Sequence, residues 1–214
     1  MTNTTTTNTT GRTLFDPAAA RARAERRAER ARWYALGHAL ADPTNPCEGM
    51  RPEDVAASML YFAFGSNLNI AQMNRRCPGS RVFGAATVKN WRLEFRGVAD
   101  VVRKRGAKVR GGLWTVTADD VRKLDAYEGF PRLYTRREVV AIDATGTKRR
   151  AFLYVMRGGV ISAPNPGYLG TILTGFRDFG LPIGPLAAAV DRAQRADDED
   201  EYGPDADRSA WGLR

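Results

Sequence analysis

The chain has 214 residues, of which 43% are hydrophobic, so it is long enough for one domain with a real core and short extensions. Two cysteines and a single histidine argue against a disulfide framework, a metal site and a histidine-based catalytic triad. The net charge of +9 is concentrated in residues 58–190, which carry 21 basic and 9 acidic side chains, and this fits an anionic ligand, a nucleic-acid surface or simple solubility.

The first 57 residues are interpreted as extensions. Residues 1–13 are rich in Thr and Asn and are predicted to be disordered. Asp16-Pro17 predicts the start of an Arg/Ala-rich helix that reaches about Leu40, followed by a linker with Pro and Gly up to residue 57. A signal-peptide pattern and a long apolar run are both missing from the sequence, which predicts a cytoplasmic protein with reduced cysteines.

Residues 58–190 have the pattern of one compact domain. Helices are expected after Asn69, after Thr117 and over Pro166–Asp178. The small number of helices between strands favours an α+β fold with a small mixed six-stranded β-barrel. The acidic residues 191–214 are expected to form a solvated tail. The six predicted strands, rich in β-branched and aromatic residues, are 61–64, 81–88, 91–97, 111–116, 136–143 and 149–156.

The stretch YFAFGSNL, Tyr61–Leu68, predicts a buried strand that ends in a turn of small residues. Asn69 is then a good N-cap for a helix, with Gln72 at the capping-box position. The turn Gly65–Asn67 and the helix N-terminus direct several backbone N–H groups into one space, which favours a carboxylate or a phosphate. An ordinary tight turn before a helix is the alternative interpretation.

A second candidate is Glu128, in the last turn of a helix that Thr117 and Asp120 begin with a capping box and Gly129 ends. The carbonyl end of a helix disfavours a carboxylate, and the aromatic residues nearby reduce its hydration. Both effects raise the pKa of a carboxyl group and suit it to proton transfer near neutral pH. A solvated Glu at a helix end is the alternative.

The third stretch, Ala163–Pro182, places Tyr168 at the start of a helix that Pro164 and Pro166 precede. A tyrosine at that point can close a small-molecule pocket, and core packing is the alternative interpretation.

In this order the three stretches resemble the gamma-glutamylcyclotransferase family with its AIG2-like relatives, over about residues 58–190. The motifs that carry the resemblance are Phe64–Asn67, Leu124–Gly129, Pro164–Tyr168 with Gly180-Leu181-Pro182, and the GG-L-W strand Gly111–Trp114.

The resemblance implies a six-stranded barrel-like fold that encloses one pocket and binds a small γ-glutamyl substrate without a cofactor. The reaction would convert a γ-glutamyl amide to 5-oxoproline and release an amine or amino acid. Glu128 would be the catalytic acid/base, and the backbone amides of Gly65–Asn67 would bind either the α-carboxylate or the developing oxyanion. Phe64 stands where the family usually has tyrosine, so one hydroxyl is missing from the pocket wall. The substrate-binding residues implied are Tyr61, Phe62, Ala63, Phe64, Gly65, Ser66, Asn67 and Tyr168.

Two other functions stay open on the sequence alone. One is a protein of this fold that binds a γ-glutamyl ligand without turnover. The other is nucleic-acid binding through the Arg-rich helix 17–41 and the segment VVRKRGAKVRGG at residues 101–112, since clustered Arg and Lys contact phosphates. Binding to membranes is not expected.

Overall fold

The computed structural model describes residues 46–202 and, separately, Arg21. The predicted tail over residues 1–13 lies outside the described residues, as does the Arg-rich helix apart from Arg21, which is helical. The last twelve residues, 203–214, are likewise outside them.

Within residues 46–202 the strands form a closed five-stranded barrel in the order β1-β3-β2-β4-β5. Strand β1 pairs antiparallel with β3 and parallel with β5, which closes the barrel, and the remaining pairs are antiparallel. The predicted α+β barrel is therefore confirmed, with five strands where six were expected. The strands are β1 (Leu60–Ala63), β2 (Arg81–Phe95), β3 (Ala99–Thr115), β4 (Tyr134–Asp143) and β5 (Lys148–Met156).

The strand count differs because the segments 81–88 and 91–97 belong to one bent strand, β2. Asn90 lies between them with a φ of 63°, and its side chain accepts a hydrogen bond from the N–H of Gly106 at 3.0 Å. Opposite Asn90, residues 104–107 of β3 form a bulge that shifts the register. A bulge bends a hairpin without ending its ladder of hydrogen bonds. The polar residues Lys89 and Asn90, which separate the two predicted strands, therefore lie inside β2.

The helices predicted after Asn69, after Thr117 and over Pro166–Asp178 are all present. Thr117 and Asp120 form the expected capping box, and Gly129 ends the helix with a left-handed φ of 64°. Asn69 caps its helix by accepting from the N–H of Gln72 at 2.8 Å. The described helices are α1 (Pro46–Gly49), α2 (Pro52–Ser58), α3 (Ile70–Arg76), α4 (Ala118–Glu128), α5 (Pro166–Asp178) and α6 (Gly184–Tyr202).

Two segments outside the predicted domain pack against it. Helices α1 and α2 lie in the expected linker, yet Cys47 and Val55 are completely buried. Helix α6 continues to Tyr202, through residues expected to be a tail, because it buries Ala193 and its Arg192 donates to the carbonyl of Leu93 at 2.8 Å. Among the described residues, none of the helices has the length and hydropathy needed to cross a membrane.

A glycine pair in β3 allows its neighbours to approach closely. A Cβ on Gly111 would lie 2.2 Å from the carbonyl oxygen of Ala63, and one on Gly112 would lie 2.4 Å from the ring of Phe179. Both contacts are far shorter than van der Waals distance, so the GG pair is required for β1 and the end of α5 to pack on β3. This packing holds the end of β1 and the end of α5 against β3.

Candidate active site

A cavity of about 290 Å³ lies where the end of β1, the end of α4 and the start of α5 meet. Seven of the nine residues predicted for the site line it: Tyr61, Phe64, Gly65, Ser66, Asn67, Glu128 and Tyr168. The tertiary structure thus brings together side chains and backbone from three segments that are far apart in the chain.

Phe62 and Ala63 do not line the cavity, contrary to the prediction. Both are buried in the core, with 0% and 1% of their surface exposed. Successive side chains of a strand point to opposite faces, so Phe62 turns away from the side that Tyr61 occupies. It packs instead beside Gly111, whose missing Cβ leaves room for the Phe62 ring.

Glu128 is held at the cavity by Asn67 of the segment Phe64–Asn67, the strand-end motif. The side-chain amide of Asn67 donates to Glu128 Oε1 at 3.0 Å and to the hydroxyl oxygen of Tyr61 at 2.8 Å. Arg76 donates to Asn67 Oδ1, which leaves the NH₂ end of the amide to face Glu128. The orientation of Asn67 is therefore decided by its partners on both sides.

Burial raises the pKa of Glu128 from its ordinary value of 4.5 to about 7. The positive charge of Arg76 and the hydrogen bond from Asn67 act in the opposite direction and prevent a larger increase. Loss of hydration favours the neutral carboxylic acid, whereas a nearby cation favours the carboxylate. Glu128 is consequently able to exchange a proton near neutral pH.

Arg76 is a site residue for which the sequence carries no recognisable signal. It lies in the last turn of α3, and its guanidinium stacks on the ring of Tyr127, 3.3 Å from the centroid. The adjacent Arg75 is also in that turn but is exposed. Only the rotation of α3 about its axis, set by tertiary packing, distinguishes the two arginines.

Tyr168 closes the cavity opposite the strand end. Its hydroxyl oxygen accepts from the backbone N–H of Ala99 at 3.1 Å, and burial raises its pKa to about 12, so the hydroxyl keeps its proton. A Cβ on Gly65 would lie 3.0 Å from the Cβ of Ala99 and 3.4 Å from the Tyr168 hydroxyl. Glycine at position 65 therefore allows the turn to pack tightly against both.

The turn that follows β1 is a 3₁₀ turn, Ser66–Leu68. The N–H of Leu68 donates to the Gly65 carbonyl at 3.0 Å, and that of Asn69 donates to the Ser66 carbonyl at 3.1 Å. Within residues 46–202, the backbone N–H groups of Gly65, Ser66 and Asn67 donate to no protein acceptor. They are three hydrogen-bond donors at the wall of the cavity.

The remaining lining residues were not predicted to bind substrate, although Tyr127 and Tyr134 belong to the aromatic group expected to reduce the hydration of Glu128. Tyr154 of β5 donates to Asp125 Oδ1 at 2.7 Å, and its ring meets that of Tyr61 edge-on with centroids 5.9 Å apart. Tyr134 of β4 donates to the Ala99 carbonyl at 3.3 Å. Alternation along a strand identifies such aromatic residues as inward-facing. It does not distinguish a side chain packed in the core from one that lines a cavity.

Other chemistry considered from the sequence has no counterpart in this site. The described residues contain no group of three or more His, Cys, Asp or Glu side chains that could hold a metal ion. The basic residues of segment 101–112 are exposed, and the cavity lining includes none of them.

The comparisons with known proteins agree with the fold and the motifs. A family model described as gamma-glutamyl cyclotransferase, AIG2-like, matches residues 61–169, about half of the chain. The cavity, its strand-end motif and this match identify the chain as a member of that family.

Individual proteins similar to this chain are named gamma-glutamylcyclotransferase. The gamma-glutamylcyclotransferase of Bos taurus is 28% identical over 150 residues, which cover 64% of this chain and 79% of that protein. The gamma-glutamylcyclotransferase of Homo sapiens is 28% identical over 139 residues, covering 59% and 74%. A solved structure entitled gamma-glutamyl cyclotransferase superposes with a TM-score of 0.57 at 25% identity, covering 61% of this chain and 85% of that one.

Proposed function

We propose that this protein cyclises a γ-glutamyl amide to 5-oxoproline and releases a free amine, with Glu128 as the proton-transfer group. The observation that carries the proposal is a partly buried carboxyl group at the cavity, bonded to Asn67 of the strand-end motif, with a pKa that loss of hydration raises to about 7. A group with that pKa is suited to accept a proton and return it at neutral pH.

The reaction balances without a second reactant. The neutral α-amine of the substrate attacks its own γ-carbonyl carbon and forms a C–N bond, and the proton it loses passes to the carboxylate of Glu128. Collapse of the tetrahedral intermediate breaks the bond from the γ-carbon to the leaving nitrogen, which takes the proton from Glu128. Because nucleophile and carbonyl belong to one molecule, holding the chain in a folded conformation supplies much of the acceleration.

The three backbone donors of Gly65, Ser66 and Asn67 are assigned to the α-carboxylate of the substrate. In the part of the chain that the structure describes, no Lys or Arg lines the cavity, so a carboxylate there depends on N–H and O–H donors. Successive backbone N–H groups form an anion-binding concavity. The hydroxyl of Tyr168, protonated at neutral pH, is a further donor for the substrate.

The test is a panel of γ-glutamyl compounds with release of 5-oxoproline as the readout. Glu128→Gln keeps the shape of the side chain and loses the transferable proton, so release should fall by at least about 100-fold. Glu53→Gln, a change at an exposed carboxylate on α2, is the matched control and should leave the rate unchanged.

The outcomes distinguish the enzyme from a binding protein. Binding of a γ-glutamyl compound without release of 5-oxoproline would favour the ligand-binding alternative. If folded Glu128→Gln protein turns over as fast as the wild type, the mechanism is incorrect.

A further inference from the structure

We propose that a basic surface on the β2–β3 hairpin binds the phosphate backbone of double-stranded DNA without reading its sequence. The inference is separate from the proposed cyclisation, because the side chains that carry it do not line the cavity. We call this surface the basic ribbon, and all of its residues are exposed: Lys89, Arg103, Lys104, Arg105, Lys108 and Arg110.

The paired strands direct part of the basic ribbon away from the core. Lys89 of β2 lies directly opposite Lys108 of β3, and Arg110 is two residues further along β3, on the same face. The neighbouring pair, Val88 and Val109, is buried and points to the opposite face. Like charges directly opposite each other destabilise a sheet, and an anion bound between them removes that cost.

The bulge over residues 104–107 adds two further cations, Lys104 and Arg105. Asn90 holds the bulge, because its side-chain oxygen accepts from the N–H of Gly106 at 3.0 Å. The φ of Asn90 is 63°, a left-handed conformation that is uncommon for a residue with a side chain and is found often at binding sites. A Cβ on Gly106 would meet no atom within 4 Å, so this point of the surface is open.

The carboxylates of the two strands do not neutralise the basic ribbon. Glu94 of β2 and Asp100 of β3 are both buried. Arg92 donates to Glu94 at 3.1 Å and Arg96 donates to Asp100 at 2.9 Å, and neither arginine belongs to the ribbon. The positive charge of the exposed side chains is therefore not cancelled within the hairpin.

Acidic residues of the neighbouring elements have partners as well. On β4, Asp143 pairs with Arg149 at 2.8 Å. On α6, Asp197 accepts from the N–H of Ala163, in the loop that pairs with the β2–β3 turn. Residues 104–107 lie about 20 Å along β3 from that turn. Among the described residues, no ion pair includes a side chain of the basic ribbon.

The surface suits a duplex better than a single strand. The aromatic side chains within residues 87–110 are Trp91 and Phe95; both are buried, and the guanidinium of Arg103 covers the Trp91 ring at 4.3 Å. Proteins that bind single strands stack the bases on accessible aromatic rings. Lys and Arg contact phosphates as charges, and a two-stranded β-ribbon fits the major groove of B-DNA.

The test is fluorescence anisotropy of a labelled DNA duplex of about 20 base pairs with the full-length protein, from about 50 to about 200 mM NaCl. The logarithm of the binding constant should fall linearly with the logarithm of the salt concentration. The triple variant Lys104→Gln, Arg105→Gln, Lys108→Gln should bind about tenfold or more weakly than the wild type, with a slope less steep by about two to three.

The matched control removes the same number of positive charges from exposed positions on other elements: Arg75→Gln, Lys148→Gln, Arg177→Gln. Its affinity for the duplex should stay within about threefold of the wild type. Thermal unfolding and release of 5-oxoproline should be like the wild type in both triple variants, since the replaced side chains are exposed and lie outside the cavity lining.

Three results would overturn the inference. They are no binding of the duplex by the wild type at the lowest salt concentration, equal affinities of the two triple variants, and equal or tighter binding of single-stranded DNA. Equal or tighter binding to vesicles of anionic phospholipid would assign the basic ribbon to a membrane surface and would also contradict the proposal. None of these outcomes bears on the cyclisation, which the γ-glutamyl panel tests.

Discussion

Asn67 is the residue that connects the strand-end motif to Glu128. Its NH₂ group donates to both Glu128 and Tyr61, while its carbonyl oxygen accepts from Arg76. If the amide were rotated by 180°, its oxygen would face the Glu128 carboxylate and repel it. Arg76 prevents that rotation, because its guanidinium has donors only. We therefore regard Arg76 as a positioning residue for Glu128.

Replacing Arg76 with Met should move the acidic limb of the pH–rate profile to higher pH. In the wild type the limb is expected near pH 7, where Glu128 loses its proton and becomes able to act as a base. Without the positive charge, the carboxylate is less favoured and the pKa of Glu128 increases, by about one pH unit or more.

The measurement is kcat/KM against pH for wild type, Arg76→Met and Arg76→Lys. The Lys variant keeps the charge and should restore the position of the limb in part. Arg75→Met, at the exposed neighbouring arginine, should leave the profile unchanged. A limb that stays at the wild-type pH in Arg76→Met would show that Arg76 does not act through Glu128.

At the scale of elements, α4 positions Glu128 through both of its ends. At its start, Asp120 is almost completely buried and accepts from the N–H and hydroxyl of Thr117 and from the N–H of Gly79. At its end, the left-handed conformation of Gly129 turns the chain sharply after Glu128. The helix is thereby anchored to the loop before β2 and delivers Glu128 to the cavity.

Asp120→Ala should destabilise the protein by about 2–4 kcal/mol, because the change leaves several buried donors without an acceptor. Asp119→Ala is the matched control: its side chain is 65% exposed and pairs with Lys123 at the surface, so the change should cost far less stability than Asp120→Ala. Urea unfolding of both variants measures the difference. Equal small losses would mean that α4 does not depend on this cap.

At the scale of the whole molecule, burial of Glu128 has a consequence for stability. The pKa is about 7 in the folded protein against an ordinary value of 4.5, so the folded state keeps this proton to higher pH than the unfolded chain does. The stability associated with the neutral acid is fully present below about pH 4.5 and is lost as the pH rises to about 7. The loss is on the order of 3 kcal/mol.

Glu128→Gln removes this dependence, because Gln does not titrate. The variant should be more stable than the wild type at pH 8, by up to about 3 kcal/mol, and similar to it at pH 4. Thermal or urea unfolding at the two pH values measures the difference, with Glu53→Gln as the exposed control. A wild type that gains stability relative to Glu128→Gln on going from pH 4 to pH 8 would contradict the sign.

Much of the local structure followed from the sequence. The capping box of α4, the Gly129 stop and the cap at Asn69 all depend on contacts within a few residues, which chain-local chemistry determines. For the same reason the turn at Gly65–Asn67 and the placement of Glu128 at a helix end could be predicted. The family resemblance of these short motifs then indicated which segments belong to one site.

Only the tertiary structure decided the contacts between segments. The rotation of α3 places Arg76 rather than Arg75 on Asn67, and strand alternation excludes Phe62 from the cavity. The bulge opposite Asn90 joins two predicted strands into one, and α1, α2 and α6 are part of the domain because their apolar faces bury against it. Each of these outcomes depends on residues distant in the chain, whose packing a local pattern does not specify. The raised pKa of Glu128 likewise depends on the tertiary structure, because the largest cause of the increase is burial by the folded protein.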